Sequence, residues 1–192
     1  MVKKISPHAL LPLFFCSIII SCQVKPCTTE TKKDSDYRRV CYYTNWSQYR
    51  RDQGRFLPSD IDPFLCTHLI FAFAKVNDDG VLAPYEWNDL QHPFLYKQFT
   101  DLKTKNPNLK TLLGVGGWNH GSLPFTAMVS SKSGRDKFIN HAIKYLRNNR
   151  FDGLDLDWEY PASRGSPVQD KERFVSLTKV SISSGTIDMD MS

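Results

Sequence analysis

From Arg39 onward, the chain alternates short apolar runs with longer segments in which apolar residues recur every three or four positions. Buried parallel strands are continuous apolar runs, and helices that cover a sheet show the longer period. The pattern therefore predicts strands at residues 39–44, 67–75, 110–115 and 153–158, and helices at residues 94–105, 133–148 and 170–179. This succession of βα units is typical of an α/β fold with a parallel sheet. Residues 180–192 show no helical period, and no element is predicted there.

The fourth predicted strand carries Asp155, Asp157 and Glu159 at alternate positions, separated by Leu156 and Trp158. A strand points alternate side chains to opposite faces, so the three carboxyls share one face and the apolar residues pack from the other. Like charges this close cannot all ionise, so we expect at least one pKa to rise and a proton to be shared. A neutral acid beside an ionised one is what glycosidic bond cleavage requires. The alternatives are a solvated acidic strand and a divalent-cation site of oxygen ligands.

The N-terminus indicates export. Lys3 and Lys4 precede an apolar stretch, residues 10–20, that is too short to span a bilayer. We therefore predict a cleaved secretory signal at residues 1–22 and a secreted, extracellular protein, with an uncleaved anchor as the alternative. Residues 23–38, mostly polar, are interpreted as a flexible lead-in. Secretion would permit disulfides.

Charge and histidine placement exclude several classes of protein. The formal charge of +5 falls to +3 once Lys3 and Lys4 are removed, and the basic residues are scattered. Such a balance does not favour nucleic acid or stable membrane association. The histidines, at positions 8, 68, 92, 120 and 141, have no ligand spacing, so we predict no metal. The sequence indicates no cofactor and no obligate protein partner.

The segment from Phe151 to Pro161 resembles the D-x-x-D-x-D-x-E signature of the chitinases of glycoside hydrolase family 18. Its acidic positions are Asp152, Asp155, Asp157 and Glu159. The resemblance implies a (β/α)8 TIM barrel with its site at the carboxyl ends of the strands. A complete barrel typically takes about 250 residues, so we expect only the first four βα units here. Residues 39–179 would be a partial catalytic domain, and residues 180–192 a tail outside the family.

The same resemblance implies a chemistry. Glu159 would be the general acid, Asp157 would orient the acetamido group of the substrate, and Asp155 would share a proton with Asp157. Asp152 is out of phase with these three and is expected to play a supporting, structural role. The reaction implied is hydrolysis of the β-1,4 linkages between N-acetylglucosamine units of chitin. The substrate's own N-acetyl carbonyl is the nucleophile in this family.

Candidate substrate-binding residues lie at or just past the predicted strand ends. Gly114–Asn119 resembles the S-x-G-G segment of the family, with Gly114 in place of serine, a departure that affects packing. Glycines there allow a ligand to approach the backbone. The candidates are Tyr42, Trp46, Phe73, Glu86, Trp87, Gly116, Gly117, Trp118, Asn119 and Tyr160. For each aromatic residue, a place in the core is the alternative. Tyr43 and Phe71, in the opposite phase, are predicted core residues.

Cys41 and Cys66 match the pair that is bridged in the chitinase family. Cleavage after Ser21 would leave Cys22 and Cys27 as a second candidate pair, whereas cleavage after Cys22 would leave Cys27 unpaired. Asn45-Trp46-Ser47 is a formal glycosylation acceptor, but its place at a strand end predicts that it is buried.

Two other functions remain as alternatives. A chitin-binding lectin of the same fold is one. Relatives without catalytic activity typically lose the last acid of the motif, whereas Glu159 is present here. A truncated, inactive product is the other. It would expose open sheet edges and apolar faces and would be prone to aggregate.

Overall fold

The computed structural model describes residues 37–183 and 188–190. The predicted signal, the lead-in up to residue 36 and the cysteines within them lie outside the described residues. The strands are β1 Val40–Thr44, β2 His68–Val76, β3 Leu82–Pro84, β4 Lys110–Gly116, β5 Gly153–Asp157 and β6 Asp188–Asp190. The helices are α1 Leu95–Thr100, followed by a 3-10 turn at Asp101–Thr104, α2 Leu123–Val129, α3 Lys132–Asn148 and α4 Asp170–Ser183. The four predicted strands are confirmed to within one residue at each end.

The sheet order is β1-β2-β4-β5-β6, and each neighbouring pair in that order is parallel. The three residues of β3 add an antiparallel strand to β2. Short 3-10 turns connect β1 to β2, and α-helices precede each of β4, β5 and β6, so from β2 onward the arrangement is that of consecutive βα units. The predicted fold class, part of an α/β barrel, is confirmed. Parallel strands all end at the same edge, where we expect the functional site.

Three elements were not predicted, namely α2, β3 and β6. The short helix α2 has only seven residues and contains Pro124, so its helical period is too brief to recognise. Helix α4 continues four residues past its predicted end at Lys179, through serine and β-branched residues of low helix propensity. Beyond it, β6 pairs with β5 as a fifth parallel strand. The tail of residues 180–192 thus contributes structure where the sequence predicted none, because three residues are too few to show a strand period.

An aromatic core lies on one face of the sheet. Phe71 is fully buried, with ring centroids of Tyr96, Tyr43 and Phe99 within 4.9, 5.3 and 5.3 Å of its own. The core positions predicted for Tyr43 and Phe71 are therefore confirmed. The disulfide implied by the family resemblance is formed between Cys41 and Cys66, whose Cα atoms are 6.2 Å apart.

Strand β5 follows the predicted alternation. Leu154, Leu156 and Trp158 are all buried, and the Trp158 ring stacks on Phe125 of α2 at 5.1 Å. Phe174 of α4 meets the same ring edge-on at 5.9 Å. The apolar face of β5 is thus fixed against two helices, which directs its acidic face to the opposite side. Among the described residues, we find no helix with the length and apolar character needed to cross a membrane.

Candidate active site

A cleft of about 420 Å³ lies at the carboxyl ends of the parallel strands. Its lining comes from the segments that follow β1, β3, β4 and β5, together with one residue each of β2 and β4. The lining residues are Asn45, Trp46, Phe73, Tyr85, Glu86, Gly116, Gly117, Trp118, Asn119 and Glu159. Eight of these ten were predicted from the sequence. The cleft therefore brings together the predicted terminal acid and most of the predicted binding residues.

Asn45 and Tyr85 are the lining residues that sequence reasoning missed. Asn45 drew attention only as a glycosylation acceptor, and its predicted burial is confirmed because only 1% of it is exposed. Its side-chain amide donates to the Phe73 carbonyl oxygen at 3.3 Å, which places it in the wall of the cleft. Tyr85 follows the three-residue strand β3, which is too short to leave a periodic signal.

The acidic face of β5 runs from the protein interior into the cleft. Asp155 is fully buried, Asp157 is half-buried, and Glu159 is half-buried and lines the cleft. The Tyr42 hydroxyl, on β1, donates to Asp155 Oδ2 at 3.1 Å. Tyr42, Asp155 and Asp157 thus lie outside the cleft lining, and Glu159 is the member of the acidic row that a ligand in the cleft would meet first.

Burial raises the pKa of Asp157 above its ordinary value, and the negative charge of Glu159 raises it further. Both effects disfavour the ionised form. The rise expected for at least one carboxyl of the row is therefore found at Asp157. A carboxyl whose ionised form is disfavoured beside a second acid is suited to share a proton with it.

Asp152 joins the starts of β4 and β5. Its Oδ2 accepts hydrogen bonds from the Thr111 main-chain N–H at 2.7 Å and from Lys103 Nζ at 2.8 Å. Burial alone would raise the pKa of Asp152, but the Lys103 ammonium and the Thr111 donors outweigh it and lower the pKa. Asp152 therefore holds the two strands together at the ends opposite to the cleft.

Two glycines allow the ends of β4 and β5 to meet. Gly116 has a φ of +114°, and a Cβ at this position would lie 2.1 Å from the main-chain oxygen of Asp157. The Gly117 N–H donates to that same oxygen at 2.9 Å. A Cβ on Gly117 would lie 2.6 Å from the Phe73 ring, and one on Gly114 would lie 3.0 Å from it. The glycine at 114 thus makes room for the ring that floors the cleft.

Aromatic faces open onto the cleft. The Trp46 ring stacks on Phe73 at 6.1 Å, with 45% of Trp46 still exposed, and Trp118 is 60% exposed. The Arg164 guanidinium lies 3.8 Å from the centre of the Trp118 ring. It also donates to the carbonyl oxygens of Trp118 at 3.1 Å and Glu159 at 3.0 Å. Arg164 therefore links the loop after β4 to the loop after β5.

Three predicted binding residues lie outside the cleft lining, namely Tyr42, Trp87 and Tyr160. Trp87 is 63% exposed and Tyr160 is 53% exposed. Neither is in the core, which was the alternative for each. The part of the chain that the structure describes contains no cluster of three or more His, Cys, Asp or Glu residues arranged to hold a metal ion.

Residues 38–181 match the family model described as glycosyl hydrolases family 18. The chain is 56% identical over 138 residues to chitotriosidase-1 of Mus musculus, a match that covers 72% of this chain and 29% of that protein. The structure resembles catalytic domain 2 of the group II chitinase of Ostrinia furnacalis, with a TM-score of 0.76 and 36% sequence identity. That match covers 81% of this chain and 43% of the solved domain.

Human YKL-39, which is described as a pseudo-chitinase with retained chitooligosaccharide binding properties, is also similar. Its TM-score is 0.67 at 39% identity, covering 77% of this chain and 38% of that one. The chain therefore spans less than half the length of each of these three relatives.

Proposed function

The chain belongs to glycosyl hydrolases family 18, and from that membership we propose that its cleft binds chito-oligosaccharides and hydrolyses their β-1,4 linkages. The observation that carries the proposal is the position of Glu159. Its side chain lines the cleft, and it continues the acidic face that Asp155 and Asp157 form on β5. An acid in a cleft lined by aromatic rings can reach a glycosidic oxygen while the rings hold the sugars on both sides of that bond.

Glu159 is proposed to donate its proton to the glycosidic oxygen as the bond from that oxygen to C1 of the sugar breaks. The carbonyl oxygen of the substrate's N-acetyl group attacks C1 and forms an oxazolinium ion, as is usual in this family. The Glu159 carboxylate then accepts a proton from water, whose oxygen attacks C1 and opens the oxazolinium ring, which restores the N-acetyl group. The acid is restored, and the configuration at C1 is retained.

Asp157 and Asp155 are proposed to control charge beside the reacting sugar. The raised pKa of Asp157 favours its protonated form more than in an ordinary aspartic acid. Passing that proton to Asp155 would leave a carboxylate on Asp157 that orients the acetamido N–H and stabilises the positive intermediate. The Tyr42 hydroxyl, which donates to Asp155, would keep Asp155 in place for this exchange.

Sugar binding is proposed to rest on the aromatic walls. Trp46, Phe73 and Trp118 offer ring faces against which the C–H faces of sugars can stack. Asn119, Glu86 and the main chain at Gly116 and Gly117 offer polar groups for sugar hydroxyls. Trp87 and Tyr160, which are exposed beside these segments, would extend the surface to longer oligosaccharides.

Comparing turnover of chitotetraose by the wild-type chain and Glu159→Gln tests the proposal. General acid catalysis typically contributes about 10²- to 10⁴-fold, so the variant should lose at least about a hundredfold in kcat. Glu172→Gln is the matched control, because Glu172 is an exposed glutamate on α4 and should turn over at the wild-type rate. Equal rates for wild type and Glu159→Gln would refute the assignment of Glu159.

The second candidate function is binding without hydrolysis, and the similarity to the pseudo-chitinase YKL-39 favours it. The presence of Glu159 at the cleft argues for hydrolysis instead. Wild-type chain that binds chitotetraose and shows no turnover would decide for the binding function. We also propose that the protein acts outside the cell, supported by the predicted signal and by the disulfide between Cys41 and Cys66.

A further inference from the structure

A buried carboxyl lies behind the cleft and takes no part in the proposed reaction. Asp89 follows β3 in the segment that leads to α1, and only 1% of it is exposed. Its main chain is fixed, because its N–H donates to the Glu86 carbonyl at 3.2 Å and its carbonyl accepts from Tyr96 N–H at 3.2 Å. The main chain at Asp89 is therefore held in place next to Glu86, which lines the cleft.

Asp89 Oδ2 reaches two residues that line the cleft. It accepts from the Glu86 main-chain N–H at 2.9 Å and from Asn45 Nδ2 at 3.4 Å. Asn45 Nδ2 also donates to the carbonyl oxygen of Phe73, whose ring stacks on Trp46. One carboxyl group thus supports cleft residues from the segments after β1 and β3 and, through Asn45, from β2.

Within the described residues, 37–183 and 188–190, the titratable groups that interact electrostatically with Asp89 are acids and phenols. Those titratable groups are Glu86 beside it, Tyr43 of β1, Tyr49 after β1, Tyr96 of α1 and Tyr145 of α3. Asp89 Oδ1 is buried and has no hydrogen-bond partner in the described part of the chain. Burial raises the pKa of Asp89 to about 7, against the opposing effect of the hydrogen bonds from Glu86 and Asn45.

We propose that Asp89 is a positioning residue of the cleft. Its ionisation strengthens the hydrogen bonds that it accepts from Glu86 and Asn45 and so strengthens oligosaccharide binding. The inference rests on the proposed function, because it concerns the same ligand. The physical reason is that hydrogen bonds to an ionised acceptor are shorter and roughly twice as strong as those to a neutral one. Both donors lie in the cleft wall, so a firmer bond to either limits the movement of the surface that meets the sugar.

This arrangement makes two properties change in opposite directions with pH. The folded protein keeps a proton on Asp89 that the unfolded chain releases above the ordinary value of 3.8. The contribution of Asp89 to the free energy of unfolding therefore falls as pH rises from 3.8 to about 7 and is level above that. Ligand affinity rises as pH passes through about 7, because the ionised carboxyl accepts stronger hydrogen bonds from Glu86 and Asn45. A purely structural aspartate would produce the first change without the second.

The test measures chitotetraose affinity by tryptophan fluorescence between pH 5.5 and 8.5 in the full chain carrying Glu159→Gln, which prevents turnover. Affinity should rise roughly three- to tenfold across this range, the equivalent of strengthening one or two hydrogen bonds. Adding Asp89→Asn should abolish the rise and leave the affinity at the weaker level. Asp60→Asn is the matched control, because Asp60 also accepts from a main-chain N–H, that of Leu57 at 2.8 Å, but is exposed and outside the cleft.

A rise in affinity that persists in Asp89→Asn, or that Asp60→Asn also removes, would overturn the inference. Binding that does not change with pH in the parent would overturn it while leaving the proposed function intact. No binding at any pH would refute the proposed function itself. Urea unfolding of the parent with and without Asp89→Asn supplies a second measurement. Stability that falls more between pH 4 and 7 in the parent than in the Asp89→Asn variant supports the inference, and equal falls in both contradict it.

Discussion

Gly116→Ala is predicted to damage both stability and catalysis, because it separates two strand ends that have to touch. A Cβ at Gly116 would lie 2.1 Å from the main-chain oxygen of Asp157, whereas real Cβ contacts are essentially never shorter than 3.0 Å. The ends of β4 and β5 would have to move apart by roughly 1 Å, since the closest atoms belong to the main chain of Asp157. That movement would also stretch the 2.9 Å hydrogen bond from Gly117 N–H to Asp157 O.

The expected cost has two parts. An alanine held at a φ of +114° is strained by roughly 1–3 kcal/mol. Loss of the Gly117–Asp157 hydrogen bond adds about 1 kcal/mol. The free energy of unfolding should therefore fall by about 2–4 kcal/mol. Catalysis should suffer more, because a displacement of about 1 Å at a reacting group can reduce the rate by about 100-fold.

The control for backbone strain is Gly121→Ala. Gly121 has a φ of +73°, and a Cβ there would meet nothing within 4 Å. It should cost only the roughly 1–2 kcal/mol of a left-handed non-glycine residue and leave turnover within about threefold of wild type. Urea unfolding and chitotetraose turnover of the two variants give the comparison. Equal stability and equal turnover in Gly116→Ala and Gly121→Ala would refute the claim that close contact between the strand ends organises the site.

Two further variants test what holds the strands together. Replacing Cys41 and Cys66 by serine opens a bridge between positions 25 residues apart, and the free energy of unfolding in urea should fall by roughly 3–4 kcal/mol; an unchanged value would contradict a stabilising disulfide. Asp152→Asn should cost roughly 1.5–3 kcal/mol at pH 7, because Asp152 accepts charge-assisted bonds. The folded-state pKa of Asp152 is lowered, so the destabilisation caused by Asp152→Asn should disappear as pH falls through that pKa. Asp136→Asn is the control, because Asp136 forms an exposed ion pair with Lys132, and it should cost under about 0.5 kcal/mol. A cost that does not change with pH would contradict the role of the Asp152 charge.

The strands and the acidic row could be predicted because their signals are local. In β5, the alternation of Asp155, Leu156 and Asp157 alone determines which side chains form the acidic face and which face the helices. Long helices such as α3 show their period over 17 residues, and its predicted end at Asn148 is the observed one. A period can be recognised only over several repeats, so the short elements α2, β3 and β6 could not be predicted from the sequence.

The composition of the cleft depends on contacts that no local pattern records. Asn45 lines it because its amide bonds to the carbonyl of Phe73, 28 residues away. Trp87 lies outside the lining although its neighbour Glu86 is part of it. Asp89 has no motif at all. Its role depends on the fold, which buries it and brings it into contact with residues that are distant in the sequence.

The stereochemistry of the first product tests the central claim most directly. Proton NMR of chitotetraose hydrolysis in heavy water distinguishes the β anomer, which retention yields, from the α anomer. We predict that the wild-type chain releases the β anomer first, with the α anomer appearing only by mutarotation, and that Glu159→Gln releases neither at a measurable rate. Initial release of the α anomer, or equal release by the variant, would contradict a retaining reaction driven by Glu159.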